Sequence, residues 1–190
     1  AASLDGKTAL NNGVSQWITG PDARRDGHAW RARACAILTG IGTVRDDDPQ
    51  LNVRDVDTPR QPLRVVVDSR LETPLSARIL QGATVLIAGA VDNAEKKVLL
   101  RSTGAEVLIL PNAAGKVELK DLLEELARRG INEVHVEAGF KLNGSLLREG
   151  LVDELLIYLA PMLIGPGREM AALGPLQQLA DAQRFMFTRV

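Results

Sequence analysis

Cysteine and aromatic side chains are scarce in this sequence of 190 residues. Cys35 is the only cysteine, which excludes an intrachain disulfide and a zinc site built from several thiolates. The two histidines do not have metal-ligand spacing either, so we expect no bound metal. Aromatic residues make up 3% of the chain, whereas 45% of it is hydrophobic. The core must therefore consist mainly of alanine, valine, isoleucine and leucine.

An excess of charge of one sign and long apolar runs are also missing. The 23 basic and 24 acidic residues leave a net charge of −1, so no overall field attracts nucleic acid or anionic lipid. No apolar run approaches the roughly 20 residues of a membrane span, and no charged-then-apolar leader opens the chain. We therefore expect a cytoplasmic protein that binds neither nucleic acid nor membranes.

The sequence does contain alternating strand and helix patterns, which are typical of one α/β domain over residues 1–190. The predicted strands are 35–40, 63–69, 84–89, 106–110, 133–139, 154–161 and 184–190. The predicted helices are 20–34, 93–103, 117–130 and 144–150, and residues 41–62 carry few signals of either kind. Because strand, helix and strand follow one another, the sheet should be largely parallel. Both ends look cut, since "AASLDG" and "RFMFTRV" resemble interrupted extended segments.

The strongest helix pattern in the chain ends at Gly130, a residue suited to a helix C-terminus. Its apolar side chains recur at i, i+3, i+4 and i+7, which places them on one face. They are Leu119, Leu122, Leu123 and Leu126.

Polar groups and glycines follow the predicted strand over 133–139. Ligands of open parallel sheets bind outside the carboxyl ends of the strands, where this strand carries Glu137 and Gly139. The glycines of "GFKLNGS" (139–145) allow a phosphate to approach backbone N–H groups. The spacing matches no common nucleotide-binding motif, so on spacing alone an ordinary turn is favoured. A carboxylate at the position of Glu137 is nevertheless costly unless it is paired or used.

The two histidines give no independent sign of a catalytic site. His135 belongs to an H-x-E sequence, which zinc deaminases combine with a later P-C-x-x-C. Cys35 lies upstream, so that site cannot form here. We interpret His135 as a packed strand residue and His28 as a residue on the surface of its helix.

Arginines are concentrated in the first third of the chain, and two interpretations of them remain open. They could form a solvated surface, or they could bind a phosphate, which guanidinium groups match bidentately. The stretch "TVRDDDPQLNVR" (43–54) has the same ambiguity, because acidic runs beside a proline are usually surface turns. The arginines are Arg24, Arg25, Arg31, Arg33, Arg45 and Arg54.

Several of these stretches, in this order, resemble one family. They are "SLDGKTA" (3–9), "SQWITGPDARRDGHAWRARACAILTGIGTV" (15–44), "DDPQLNVR" (47–54), "VVVDS" (65–69), "VEAG" (136–139) and "GLVDELLIYLAPMLIG" (150–165). Together they resemble the reductase domain of the bacterial bifunctional riboflavin-biosynthesis deaminase/reductase. The resemblance implies a fold like that of dihydrofolate reductase: three layers, a mostly parallel central sheet, helices on both faces and a C-terminal antiparallel strand.

The resemblance also implies a reaction and partners. The family uses NADPH to reduce the ribose of 5-amino-6-(5-phosphoribosylamino)uracil to a ribityl chain. It implies a homodimer, with the apolar segment 154–165 near the interface, and fusion to a zinc deaminase domain in a longer chain. Where the family has a lysine before "AASLDG" and a hairpin after Val190, this sequence has neither, and residues 165–176 match only loosely.

Site residues follow from the resemblance position by position. The expected catalytic residues are Asp47 and Glu137. The expected substrate contacts are Ser15, Arg31, Leu51, Arg54 and Glu137. The expected cofactor contacts are Ala1, Trp17, Thr43, Asp47, Ser69, Gly139, Phe140, Lys141, Leu142, Asn143, Gly144 and Ser145. On this interpretation the acidic stretch over 43–54 is a ligand loop.

Two other functions remain as alternatives. One is a pterin or folate reductase of the same fold, although few aromatics are present to grip a flat ring. The other is a non-catalytic nucleotide-binding module, against which the joint presence of Asp47, Arg54 and Glu137 argues.

Overall fold

A computed structural model describes residues 1–82 and 84–187, and its centre is a sheet of five parallel strands. The strands in chain order are β1 (Ala2–Ser3), β2 (Lys7–Leu10), β3 (Ala36–Gly40), β4 (Leu63–Val67), β5 (Val85–Gly89), β6 (Glu106–Ile109), β7 (Val134–Val136), β8 (Leu159–Ala160) and β9 (Gly167–Glu169). The α-helices are α1 (Pro21–Arg33), α2 (Ile41–Asp47), α3 (Ala94–Ser102), α4 (Leu119–Arg128) and α5 (Phe140–Arg148). Short 3-10 turns lie at Arg78–Leu80 and Leu179–Asp181.

The valine-rich strands form a sheet that is buried on both faces. Neighbouring residues of one strand point to opposite faces, so Ile37 packs into one core cluster and Leu38 into the other. Leu100 of α3 covers the first face, and the leucine stripe of α4, together with Leu146 of α5, covers the second. The three-layer α/β architecture predicted from the sequence is therefore confirmed.

The order of the strands locates a crevice. In the central sheet the order is β6-β5-β4-β3-β7. From β3 the chain moves outward to β6 in one direction and then returns to place β7 on the other side of β3. Such a reversal opens a crevice at the carboxyl ends of the two strands, which is where open α/β sheets bind ligands. The crevice lies between the residues after Gly40 and those after Val136.

Two small sheets flank the central one. β1 pairs with β8 in parallel, and β2 pairs with β9 antiparallel. These pairings join the first residues of the chain to the region that follows α5.

Helix α2 falls in a region where no element is predicted. Gly42 and the two aspartates of this helix have low intrinsic helix propensity. Burial of Val44 holds the helix in place, and the helix ends where Asp48 adopts a left-handed conformation at φ 40°. Tertiary packing thus overrides the local signal.

Helix α5 begins four residues earlier than the predicted 144–150. Gly139 is extended and serves as its N-cap. Residues 140–143 are therefore the first turn of a helix, and the glycine-rich corner is a helix N-terminus.

The predicted strands near the C-terminal end are only partly present. Of residues 154–161, Leu159 and Ala160 form the strand β8, which pairs with the two-residue strand β1. The apolar side chains of Leu155, Leu156 and Ile157 stay exposed. Residues 184–187 form no strand, and residues 188–190 of the predicted strand lie outside the described residues. The expected C-terminal antiparallel strand is therefore absent from the described part of the chain.

We expect Gly144→Ala to destabilise the fold. Gly144 is buried in α5 against the backbone of Ala172, and a Cβ there would overlap that backbone. Overpacking of this kind costs roughly 1–3 kcal/mol, more than the roughly 1 kcal/mol by which alanine favours a helix over glycine. Chemical denaturation of both proteins measures the difference.

Gly27→Ala is the matched control, because Gly27 also lies within a helix but faces open space. This variant should be unchanged or slightly stabilised. Equal effects of the two substitutions would show that the contact with Ala172 is not tight.

Candidate active site

The backbone around Glu137 joins the two strands that border the crevice. Its N–H donates to the Leu38 carbonyl at 2.9 Å, and its own carbonyl accepts from the Thr39 hydroxyl at 2.7 Å. Thr39 is fully buried. Glu137 is therefore held at the carboxyl end of β7 by residues of β3.

The side chain of Glu137 forms a bidentate ion pair with Arg31 of α1. Arg31 Nε lies 2.5 Å from Oε1, and Nη2 lies 2.6 Å from Oε2. The two side chains are 16% and 28% exposed. His135 Nε2 lies 3.4 Å from Oε1 on the other side. A fork of this geometry is among the strongest charge-assisted contacts in proteins.

Glu137 stays ionised in this environment. Burial by itself would raise the pKa of Glu137, but the hydrogen bonds and charges of Arg31 and His135 outweigh it and lower the pKa to about 2. Glu137 is thus an anion throughout the physiological pH range.

The loop after α2 is tied to Arg31 through Asn52. Arg31 Nη1 donates to the Asn52 carbonyl at 3.2 Å, and Arg54 Nη1 donates to its side-chain oxygen at 3.1 Å. Two of the predicted substrate residues are therefore brought together by a residue that the sequence did not single out.

His28 is buried, so its assignment to the helix surface is wrong. It is 5% exposed, with Nδ1 3.5 Å from Arg31 Nη1 and Nε2 3.2 Å from Asp55 Oδ2. The signal in the sequence was its position three residues before Arg31, which places both on the same helix face.

The three consecutive aspartates have different environments. Asp46 pairs with Arg168 at 2.9 Å. Asp48 ends α2 and accepts the N–H of Arg78 at 2.8 Å. Burial, and then the charge of Asp46, raise the pKa of Asp47 above its ordinary value, against the opposing charge of Arg168. Asp47 therefore holds a proton more readily than a free aspartate.

The glycine corner faces the end of β3. A Cβ on Gly139 would meet Thr43 Oγ1 at 3.8 Å, and one on Gly40 would meet Leu142 Cδ2 at 3.3 Å. The first-turn N–H groups of any α-helix lack intrahelical partners, and Gly139 has no side chain to cap those of α5. Within residues 1–82 and 84–187, the N–H groups of Phe140, Lys141 and Leu142 have no backbone acceptor, so the corner presents donors beside the Thr43 hydroxyl.

Other predicted cofactor residues of this corner have structural contacts. Asn143 Nδ2 donates to the carbonyls of Ala138 and Met170, and Ser145 Oγ accepts from Arg148. Gly144 is packed within the helix as described above.

The remaining predicted residues are more dispersed. Ser69 follows β4 and accepts the N–H of Val117 at 3.2 Å. Trp17 is exposed, and the guanidinium carbon of Arg24 lies 4.5 Å from the centre of its ring. Ser15 is half-buried. Leu51 is buried with a positive φ of 47°. Ala1 is exposed and directly precedes β1.

The arginines do not form one cluster. Arg25 pairs with Asp22, Arg33 with Glu133 and Arg45 with Glu72. Arg24 binds the Thr19 carbonyl. Among the six arginines, Arg31 and Arg54 are the two joined by a shared partner in the described part of the chain, Asn52. A phosphate contact by these two stays a prediction.

A cleft of about 320 Å³ lies beside α1. It is lined in part by Thr19, Ala23 and Tyr158, and the Tyr158 hydroxyl donates to Asp26 at 2.5 Å. Nothing in the local sequence indicated this contact.

Over residues 1–82 and 84–187, no helix is long and apolar enough to cross a membrane. The same residues contain no group of three His, Cys, Asp or Glu side chains placed to hold a metal ion. The absence of a metal stays a prediction.

Comparisons with known proteins agree with one another. The family model of the RibD C-terminal domain matches residues 1–189. Riboflavin biosynthesis protein RibD of Escherichia coli K12 is 42% identical, over 100% of this chain and 54% of that protein. The protein of the same name from Aquifex aeolicus is 39% identical, over 92% of this chain and 48% of its own length. The chain thus spans about half the length of the curated relatives that it matches.

Solved structures give the same picture. Acinetobacter baumannii RibD aligns with a TM-score of 0.83 and 39% identity, over 97% of this chain and 51% of that one. A second structure is the diaminohydroxyphosphoribosylaminopyrimidine deaminase/5-amino-6-(5-phosphoribosylamino)uracil reductase of Thermotoga maritima. It aligns with a TM-score of 0.76 and 27% identity, over 97% of this chain and 49% of that one. Yeast Rib7, described as a riboflavin biosynthesis reductase, is 24% identical at a TM-score of 0.71 over 92% and 76% of the two chains, and shares the fold.

The depressed pKa of Glu137 predicts a specific pH dependence of stability. The ion pair should stabilise the wild type over Glu137→Gln by about 3 kcal/mol at most at neutral pH. Because the folded pKa is about 2 and the ordinary value is 4.5, this difference should shrink as the pH falls from 4.5 towards 2. Denaturant unfolding of both proteins from pH 7 to pH 2 measures it.

Glu133→Gln is the matched control, since Glu133 forms a more exposed ion pair with Arg33. Exposed pairs contribute little to stability, so this variant should follow the wild type closely. If the difference in free energy of unfolding between the wild type and Glu137→Gln did not change with pH, the assigned ion pair would be contradicted.

Proposed function

Because the chain belongs to the RibD C-terminal domain family, we propose that it uses NADPH to reduce the ribose of 5-amino-6-(5-phosphoribosylamino)uracil. The product would be 5-amino-6-(5-phosphoribitylamino)uracil, an intermediate of riboflavin biosynthesis. The names of the relatives and the reductase activity named for the Thermotoga maritima neighbour support this reaction.

One observation carries the proposal. An ionised carboxylate, held by Arg31 in a fixed orientation, lies at the crevice between β3 and β7. The uncapped end of α5 opens onto the same crevice. A hydrogen-bonding anion for a polar substrate and a donor-rich helix end for a phosphorylated cofactor thus occur together.

The residues at the helix end fit a nicotinamide dinucleotide. An extended glycine at the N-cap leaves room for a phosphate to reach the N–H groups of Phe140, Lys141 and Leu142. The Thr43 hydroxyl faces the same corner. The Ser69 hydroxyl accepts one hydrogen bond and keeps its own proton free to donate. These groups would hold the cofactor, which supplies the hydride.

The pKa values of the two predicted catalytic carboxyl groups are shifted in opposite directions. Glu137 is held as an anion and is suited to accept hydrogen bonds from the substrate, whereas the raised pKa of Asp47 suits it to hold a proton. Carboxyl groups whose environments move their pKa values in opposite directions commonly divide the roles of acid and anion. We assign recognition to Glu137.

When the ribosylamine ring opens, the bond from C1 to the ring oxygen breaks, the N–H proton passes to that oxygen, and an imine forms. Reduction then adds a hydride to C1 and one proton to the nitrogen. We assign donation of that proton to Asp47.

Arg54 is the stronger candidate for the substrate phosphate. Both oxygens of Glu137 already engage Arg31, whereas Arg54 is exposed and makes one hydrogen bond, to Asn52, among the contacts of the described residues. Its guanidinium can therefore turn a free edge to a phosphate.

The assembly of the whole protein is also a proposal. Relatives of this chain are about twice as long, which supports fusion to a further domain, and a zinc deaminase is our candidate. The exposed apolar side chains of Leu155, Leu156 and Ile157 support a homodimer that buries this segment.

The decisive test of the activity is an assay with NADPH and the phosphoribosylamino-pyrimidine. Loss of nicotinamide absorbance should accompany formation of the ribityl product by mass spectrometry. NADPH binding without turnover would instead support the non-catalytic alternative.

We predict that Arg54→Ala lowers kcat/KM for the pyrimidine substrate by about 10- to 150-fold. The lost charge-assisted contact is worth about 1.5–3 kcal/mol, and each 1.36 kcal/mol is about tenfold. Lysine at position 54 should rescue only part, because a point charge cannot reproduce the fork. Steady-state kinetics with each ligand varied in turn distinguishes the two sites.

Arg25→Ala is the control, since Arg25 pairs with Asp22 on the exposed surface of α1. It should behave like the wild type. Weakened NADPH binding with normal substrate kinetics in Arg54→Ala would show that Arg54 serves the cofactor.

We also predict a preference for NADPH over NADH. The Ser69 hydroxyl lies beside Arg70, whose carbonyl accepts from Lys96 Nζ at 2.9 Å, so two cations and a hydroxyl could meet a 2′-phosphate. Arg70→Ala should narrow the preference by raising the KM for NADPH alone. Equal efficiency of the wild type with both cofactors would refute this assignment.

A further inference from the structure

His28 is a buried titratable group to which the proposed reaction assigns no role. It lies on α1 at 5% exposure, and a buried imidazole is costly unless its nitrogens have partners. Both nitrogens have one here, Nδ1 facing Arg31 Nη1 at 3.5 Å and Nε2 facing Asp55 Oδ2 at 3.2 Å.

One tautomer satisfies both contacts. A guanidinium can only donate, so Nδ1 must be unprotonated and accept from Arg31. Nε2 then carries the proton and donates it to Asp55. Burial, followed by the charges of Arg31 and Arg54, lowers the pKa of His28, while Asp55 and Glu137 act in the opposite direction.

We propose that His28 is a positioning residue that orients Arg31 and, through Asp55, fixes the substrate loop against α1. The inference rests on the proposed function, because it concerns the residues assigned to the substrate. It adds His28, Asn52 and Asp55 to the site as residues that act through others.

The contacts around Arg31 support this role. Nε and Nη2 engage Glu137, so the free edge of the guanidinium is Nη1, which meets both His28 and the Asn52 carbonyl. Asn52 in turn holds Arg54. His28 therefore contacts the same guanidinium nitrogen that binds the Arg54 loop, and this guanidinium is also paired with Glu137.

Kinetics of His28 variants test the proposal. His28→Leu, which keeps the bulk but removes both hydrogen bonds, should raise the KM for the pyrimidine substrate about tenfold. The KM for NADPH and the kcat should stay within about twofold, since the groups at the α5 corner are untouched. His28→Gln can both accept and donate, and it should recover most of the loss.

The loop provides a second arm and its control. Asp55→Ala removes the carboxylate that His28 contacts and should raise the same KM, by less than His28→Leu. Asp57→Asn removes a charge two residues further on from an exposed position of the same loop and should leave the kinetics unchanged. Thermal unfolding of each variant identifies any that fails to fold, in which case His28→Gln and Asp55→Ala decide the question.

Outcomes that overturn the proposal are specific. The first is an unchanged KM for the pyrimidine substrate in His28→Leu. The second is an equal rise of that KM in His28→Leu and His28→Gln. The third is a parallel rise of the KM for the pyrimidine and the KM for NADPH. If the wild type turns over normally while these variants match it, the positioning role fails and the proposed function stands.

The state of the imidazole is measured independently of activity. The chain has two histidines, so ¹⁵N imidazole shifts are assigned by comparison with His135→Gln. We expect a neutral ring protonated on Nε2 at pH 7, even if the wild type proves inactive on the pyrimidine. A ring protonated on Nδ1, or a cationic ring at that pH, would overturn the proposal.

Discussion

The site depends on the ion pair between Arg31 and Glu137. Each side chain is largely removed from water, and an isolated charge at either position would be costly. Their bidentate contact stabilises both, and it also joins α1 to the end of β7. Because Arg31 reaches onward to Asn52, the same contact fixes the loop that carries Arg54. One ion pair thus connects a helix, a strand end and a loop that the chain order separates widely.

The position of this pair follows from the topology of the sheet. The strand order reverses at β3, and β7 is the strand placed on its other side. The reversal brings the segment after Gly40 and the segment after Val136 to one crevice. Thr43 and Gly139, nearly a hundred residues apart in sequence, therefore face each other. In the proposed function, the residues assigned to substrate and to cofactor would therefore lie next to one another at the crevice between these two strands.

Much of the fold could be predicted, because burial on two faces leaves a strong local pattern. Valine-rich runs indicated β4 and its neighbours, and the leucine stripe of α4 matched the side chains that it buries. The prediction of secondary structure failed where tertiary contacts determine the local conformation. α2 forms despite the low helix propensity of Gly42 because Val44 is buried. Most of 154–161 forms no strand, and its paired residues meet the two-residue strand β1. Polar pairings were the least predictable: buried His28 contacts Asp55, a residue of the loop that follows both β3 and α2.

A double-mutant cycle on the central ion pair tests this account most directly. The free energies of unfolding of the wild type, Arg31→Gln, Glu137→Gln and the double variant give the coupling between the two side chains. The account predicts a favourable coupling of roughly 1–3 kcal/mol at pH 7, with the double variant more stable than the sum of the single losses implies. Additive losses, with no coupling, would show that Arg31 and Glu137 act independently and would contradict it.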